Sequence, residues 1–228
     1  MVIDWFLSIF LDEKCSVCRQ ASQGKLVCEK CDRQIQKCRF TDPKCYWRGD
    51  FPLFVLGQYD GTLKRAIATM KYQDQPKLGA WLGEQLATVW QKSFVATPNI
   101  MVMPIPMHPE KLRQRGFNQA ELVAQRFAEL NKLRCDNVSL KRTKATKALF
   151  ELNLAERQQE MKEAFAFDVK TFKRKSQQPV LLIDDIYTSG TTAREAKRVL
   201  QNNGVSVFGI AAIATPKSPT IPKPTQRK

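Results

Sequence analysis

One stretch constrains this chain more than any other: residues 180–192, which read VLLIDDIYTSGTT. Val180, Leu181, Leu182 and Ile183 form an unbroken apolar run. Such a run predicts a strand buried on both faces of a parallel sheet, since a half-exposed strand would alternate. Asp184 and Asp185 follow at the carboxyl end of that strand, where open α/β sheets gather their ligands. Thr188, Ser189, Gly190, Thr191 and Thr192 then make a hydroxyl-rich turn. Residues 193–203 read as a helix, with Gly204 as its stop. Free N–H groups at a helix start, together with the helix dipole, favour an anion. Two adjacent carboxylates repel each other and need cationic or hydroxyl partners. An ordinary strand, turn and helix cap would have little reason to keep both. The stretch therefore sets acceptors for sugar hydroxyls beside donors for a phosphate.

This arrangement resembles the fingerprint for phosphoribosyl pyrophosphate in type I phosphoribosyltransferases. The resemblance implies that Asp184 and Asp185 hold the ribose hydroxyls and that residues 188–192 hold the 5′-phosphate. It also implies an α/β fold of the type I phosphoribosyltransferase kind, a twisted, mostly parallel sheet flanked by helices.

A second signal lies near the start. Cys15 and Cys18, then Cys28 and Cys31, form two C-x-x-C pairs separated by nine residues. Each pair suits a knuckle whose two thiolates face one ion, and two knuckles make a closed, tetrahedral, structural Zn²⁺ site. Cys38 and Cys45 lie outside this spacing and read either as a degenerate second site or as plain core or loop cysteines. Cys135 reads as a lone buried thiol. Paired C-x-x-C spacing fits a reducing compartment better than disulfides do. With no basic leader before the apolar start at residues 1–14, and nothing of membrane-spanning length, the expectation is a cytoplasmic protein with no membrane span. Trp5, Phe6, Ile9 and Phe10 read as a short amphipathic helix packed on the body.

The chain has 228 residues and a formal net charge of +15. That length suits one sizeable domain with a small module: residues 1–49 as a terminal helix and Cys₄ module, 50–214 as the phosphoribosyltransferase-like domain, and 215–228 as a disordered basic tail. The charge favours a polyanionic partner. Lys141, Arg142, Lys144 and Lys147 form one cation cluster; Lys170, Lys173, Arg174 and Lys175 form another. If they share a surface, they suit the phosphates of single-stranded DNA.

Between these landmarks, residues 51–59, 100–105, 164–169 and 205–213 read as strands, and 138–140 as a short one. Residues 62–72, 76–92, 119–132 and 149–163 read as helices. Pro106 and Pro109 predict a stiff loop after the strand at 100–105. Lys111, Arg113 and Arg115 then place cations before Gly116, and Asn118 suits a helix N-cap. This segment reads equally as a pyrophosphate grip or as a solvated charged loop. His108, the only histidine, has no orienting partner visible in the sequence and reads as a loop residue without chemical consequence.

Taken together, the chain resembles ComF-type competence proteins along nearly its whole length. The residues that carry the likeness are the four cysteines, the helix ending in Lys71-Tyr72, Pro104-Ile-Pro106 with Arg113 and Arg115-Gly-Phe-Asn-Gln119, then Thr146, Leu152, Arg157 and Phe165, and residues 184–192. Two positions depart from the family pattern, Leu149 and Glu160, which stand where the family tends to carry amides. The resemblance implies a factor that brings single-stranded DNA into the cell in natural transformation beside a helicase-like competence ATPase. It implies Mg²⁺ with phosphoribosyl pyrophosphate, with Lys71, Arg113 and Arg115 joining the acidic pair and the phosphate loop around that ligand. An active phosphoribosyltransferase acting on a base is the alternative.

Overall fold

The computed structural model describes residues 14–49, 51–96, 98–145, 153–175 and 178–216. After the cysteine pairs the chain forms α1 (Glu29–Lys37), β1 (Leu53–Gln58), α2 (Gly61–Tyr72), α3 (Lys77–Ser93) and β2 (Met101–Pro104). Next come α4 (Pro109–Arg115), α5 (Gln119–Leu130), β3 (Arg134–Cys135) and β4 (Leu140–Arg142). The chain then forms α6 (Leu154–Met161), β5 (Phe165–Phe167), α7 (Val169–Lys175), β6 (Val180–Ile186), α8 (Thr191–Asn202) and β7 (Val207–Thr215).

Five strands form one parallel sheet in the order β1-β7-β6-β2-β3, while β4 and β5 pair antiparallel apart from it. The apolar run at 180–183 is the middle strand, β6, as its pattern predicts. Strand alternation sends successive side chains to opposite faces. Leu181 and Ile183 join Val102, Ile213 and Phe54 under α2, α3 and α5. Val180 and Leu182 join Met101, Met103 and Ile210 under α8 and the β4–β5 pair. The result is a sheet with an apolar layer on each side.

The cysteine module is continuous with this body. Cys15, Val17, Val27, Cys31 and Ile35 belong to the same apolar cluster as Phe54 and Leu63. Residues 38–46 run along the free edge of β1: Gln58 N–H donates to Cys38 O at 2.8 Å, and Leu53 N–H donates to Tyr46 O at 3.1 Å. That closes an edge which would otherwise template aggregation. Gly57 is needed there, because a Cβ would stand 2.5 Å from Cys38 O. Behind it, Trp47, Phe54, Trp90 and Phe94 pack edge-on and tilted, with centroids 4.3–6.5 Å apart.

Several expectations shift. The stiff loop after β2 is largely the helix α4: Pro109 starts it, His108 Nδ1 accepts from Glu110 N–H at 3.4 Å, and Gly116 ends it at φ +83°. A proline at the first helical position is favourable, since its missing N–H has no partner there anyway. Residues 140–142 are strand and 169–175 are helix, so each cation cluster lies at least partly on a regular element, and the short strand expected at 138–140 sits two residues later. α8 starts two residues before the expected 193, within the hydroxyl-rich turn. Cys135 is only half-buried, at the sheet's edge. The terminal helix and basic tail, with Thr146, Lys147, Leu149 and Leu152, lie outside the described residues.

Candidate functional site

The carboxyl edge of β6 gathers charge from both faces of the sheet. Asp185 shares the parity of Leu181 and Ile183 and so meets α2, where its carboxylate pairs with Lys71 Nζ. Asp184 shares the parity of Val180 and Leu182 and looks toward the β4 side; its Oδ1 accepts Asp185 N–H at 2.8 Å. One strand's alternation thus splits two neighbouring carboxylates between two partners. Burial, reinforced by the Asp185 charge, pushes Asp184 up to about 8. For Lys71, burial disfavours the ammonium, but the Asp185 charge and hydrogen bond outweigh it and hold the pKa above its ordinary value.

The turn beyond the strand is held from beneath. Gly190 adopts φ +70°, and a Cβ there would stand 2.1 Å from the Tyr187 hydroxyl. Left-handed backbone and a tyrosine in that space together demand glycine. Ser189 Oγ and Thr191 Oγ1 lie 2.9 Å apart. Ser189, Gly190 and Thr191 are buried, Thr192 is half-buried and Thr188 is exposed. Arg194, in the first turn of α8, donates through Nη2 to Ser189 O at 2.6 Å. Its Nη1 is buried without a well-formed hydrogen bond, beside the Tyr187 hydroxyl. Burial raises the Tyr187 pKa, and the Arg194 charge opposes that rise.

Cations ring the opposite side. Arg142, named with the surface cluster in the sequence, points inward: its guanidinium lies 5.9 Å from the Phe165 ring centroid, and Nη2 is 3.4 Å from Met161 Sδ. Burial lowers its pKa against the pull of Asp184 and then Glu160. Lys111 is lowered by partial desolvation and by the facing charges of Arg142 and Arg115. Arg115 is half-buried, donates to Gln119 Oε1 at 2.8 Å, and lies 5.5 Å from the Tyr72 ring centroid. Arg113 is exposed on α4. Like charges brought together this way are unfavourable until an anion joins them.

Of the two cation clusters, Lys141, Lys144 and Lys170 are exposed. Lys141 and Lys170 flank one carboxylate: the Thr171 N–H and hydroxyl are the main causes that lower the Asp168 pKa, and the Lys141 charge adds to them. Lys173, Arg174 and Lys175 fall in the later part of α7. His108 is spent as the N-cap of α4.

The cysteine pairs form a separate centre. The four thiol sulfurs of Cys15, Cys18, Cys28 and Cys31 lie within 4.8 Å of one another, and Cys18 and Cys28 are 3.7 Å apart. Tetrahedral zinc with bonds near 2.3 Å requires sulfurs about 3.8 Å apart, so the set fits a single ion. Cys15 Sγ accepts from Val17 N–H at 3.4 Å and Cys28 N–H at 3.3 Å. Burial opposes the Cys15 thiolate, but these N–H groups outweigh it and bring the pKa down to about 7. Burial raises Cys31. Cys38 stands apart, its thiol directed at Gln34 O and Asp60 O at 3.4 and 3.6 Å.

Sequence reading assigned no role to Tyr72, Tyr187 or Arg194 and missed the inward aim of Arg142. Arg194 had a usable signal, a cation in the first turn after a phosphate-type loop. Arg142 had none, because its direction depends on the pairing of β4 with β5.

The family model for the phosphoribosyl transferase domain matches residues 112–226. Competence protein F of Haemophilus influenzae is 26% identical over 217 residues, covering 86% of this chain and 89% of that one. Competence protein ComFC of Bacillus subtilis is 24% identical over 193 residues, covering 83% and 72%. Among solved structures, an adenine phosphoribosyltransferase from Leishmania tarentolae aligns at TM-score 0.39 and 13% identity, covering 65% of this chain and 62% of that one.

Proposed function

Because the chain belongs to the phosphoribosyl transferase domain family, as a ComF-type member, we propose that it binds phosphoribosyl pyrophosphate with Mg²⁺ at the carboxyl edge of β6 and handles single-stranded DNA during uptake. In this reading Asp184 and Asp185 take the ribose hydroxyls, and residues 188–192 take the 5′-phosphate on N–H groups and hydroxyls. Lys111, Arg113, Arg115 and Arg142 face the pyrophosphate. Mg²⁺ bound with that ligand would neutralise charge beside the carboxylates. Lys71 holds Asp185 until the sugar displaces it.

The observation that carries this is the split pair itself, two carboxylates at the end of the middle strand followed by a glycine-dependent turn. The net charge of +15 supports the DNA role, as do the names of the competence relatives. Zn²⁺ in the Cys₄ centre is structural, since four thiolates leave no open position. The free, paired cysteines support a reducing, cytoplasmic location, where a helicase-like ATPase would be the partner. Among the described residues, no helix is long and apolar enough to cross a membrane.

The test is a melting curve with and without phosphoribosyl pyrophosphate and Mg²⁺, since a ligand bound only by the folded state raises the midpoint. Wild type should shift upward; Asp185→Asn and Gly190→Val should lose most of the shift. No shift in wild type overturns the ligand assignment. The intact acidic pair also favours a second reading, transfer of phosphoribosyl to a base. Release of pyrophosphate on mixing with candidate bases would establish it.

A further inference from the structure

Tyr72 ends α2 immediately after the Lys71 that pairs with Asp185, yet 73% of its surface is exposed. Among the described residues it is the only aromatic side chain that is not at least half-buried. The Arg115 guanidinium lies 5.5 Å from the ring centroid and is itself fixed by Gln119 Oε1 at 2.8 Å. A cation held against one part of the ring, with most of the ring still open to water, leaves a flat π-surface without an occupant. Leaving an aromatic ring in water forgoes burial energy. The ring stands one residue from the group that anchors the acidic pair, and Arg115 also faces Lys111. Whatever covers it must be flat and able to accompany a sugar phosphate.

We propose that Tyr72, backed by Arg115, is a stacking platform for a nucleobase at the rim of the phosphoribosyl pocket; the inference rests on the reading of that pocket given above. Stacking uses the face shared by every base and so tolerates any of them, while the neighbouring cation strengthens the contact. The same chemistry is carried by the base of a mononucleotide and by a base of single-stranded DNA.

Full-length wild type, Tyr72→Phe and Tyr72→Ala are titrated with ribose 5-phosphate and with adenosine 5′-monophosphate, which differ by the base alone. The nucleotide should bind wild type about tenfold or more tightly than the sugar phosphate. Tyr72→Ala should erase that gain while leaving ribose 5-phosphate binding intact, and Tyr72→Phe should keep it. A parallel comparison uses a ten-nucleotide thymidine strand and an abasic strand of equal length. Loss of base-dependent gain only in the strands assigns a DNA base; loss only in the mononucleotide assigns a small ligand. If Tyr72→Ala leaves both gains unchanged, or weakens ribose 5-phosphate as much as the nucleotide, the platform is overturned. Failure of ribose 5-phosphate to bind wild type sinks the pocket reading, and the strand comparison still decides the platform.

Discussion

The cysteine centre and the carboxyl edge of β6 treat charge in opposite ways. At the cysteines, four sulfurs converge on one point, main-chain N–H groups support them, and the surrounding residues belong to the main apolar cluster. At the sheet edge, two carboxylates share three bonds of backbone, Asp184 is pushed up to about 8, and Arg142 and Lys111 are held below their ordinary values. The first centre is a closed ligand set, because four thiolates would fill the coordination of the single ion it suits. The second is electrostatically unfinished, which is the usual mark of a site that completes itself with a ligand. Tertiary packing supplies the rigidity that the sheet edge needs to hold like charges together.

Removing metal should have the largest effect. Cys28→Ser, or chelation of wild type, should lose bound zinc and lower the melting midpoint by about 10 °C or more, since binding and folding of such a centre are coupled. Elemental analysis with calorimetry checks this. An unchanged midpoint after zinc loss would make the centre incidental to stability.

Next comes Lys71→Met, which strands the Asp185 carboxylate. Breaking a fully buried pair costs about 3–5 kcal/mol. Both side chains keep some exposure, 17% and 12%, so about 2–3 kcal/mol is expected here. Denaturant unfolding measures it.

Asp184→Asn should act in the other direction. A carboxyl raised to about 8 in the folded state is still protonated there at pH values where the unfolded chain has already lost the proton. Its cost therefore accumulates as pH rises from about 4 to about 8 and is constant above that. The variant should be more stable than wild type at pH 8, show a flatter stability profile across that window, and lose the upward shift with phosphoribosyl pyrophosphate. Equal stability of wild type and variant at pH 4 and pH 8 would remove the strained-site interpretation.

The smallest effect on stability belongs to Lys141, Lys144 and Lys170. Changing all three to Ala should leave the midpoint nearly unmoved, as exposed charges contribute little. If all three touch phosphates of single-stranded DNA, the slope of log affinity against log salt should fall by up to about 2 units, at roughly 0.7 per contact. Arg142→Ala should instead disturb the pocket, because that side chain turns inward.

The strand, the acidic pair, the turn and the cysteine pairs were all readable from the chain, because each rests on local spacing. An apolar run specifies a doubly buried strand, C-x-x-C specifies a knuckle, and Asn118 caps α5 as its position suggests, its Oδ1 accepting from Ala120 N–H at 3.2 Å. What depends on distant partners was hidden. The family resemblance set Lys71 near the acidic pair, but its direct ion pair with Asp185 follows from the crossing of α2 over the sheet. Arg142 turns from a surface charge into a pocket charge because β4 pairs with β5. Tyr72 was visible as part of a Lys-Tyr helix end, but its open ring and its guanidinium neighbour follow from where α4 and α5 place Arg115. Periodicity and spacing act within a few residues along the backbone. The direction of a long charged side chain is decided by whichever burial and opposite charge the assembled fold brings within its reach.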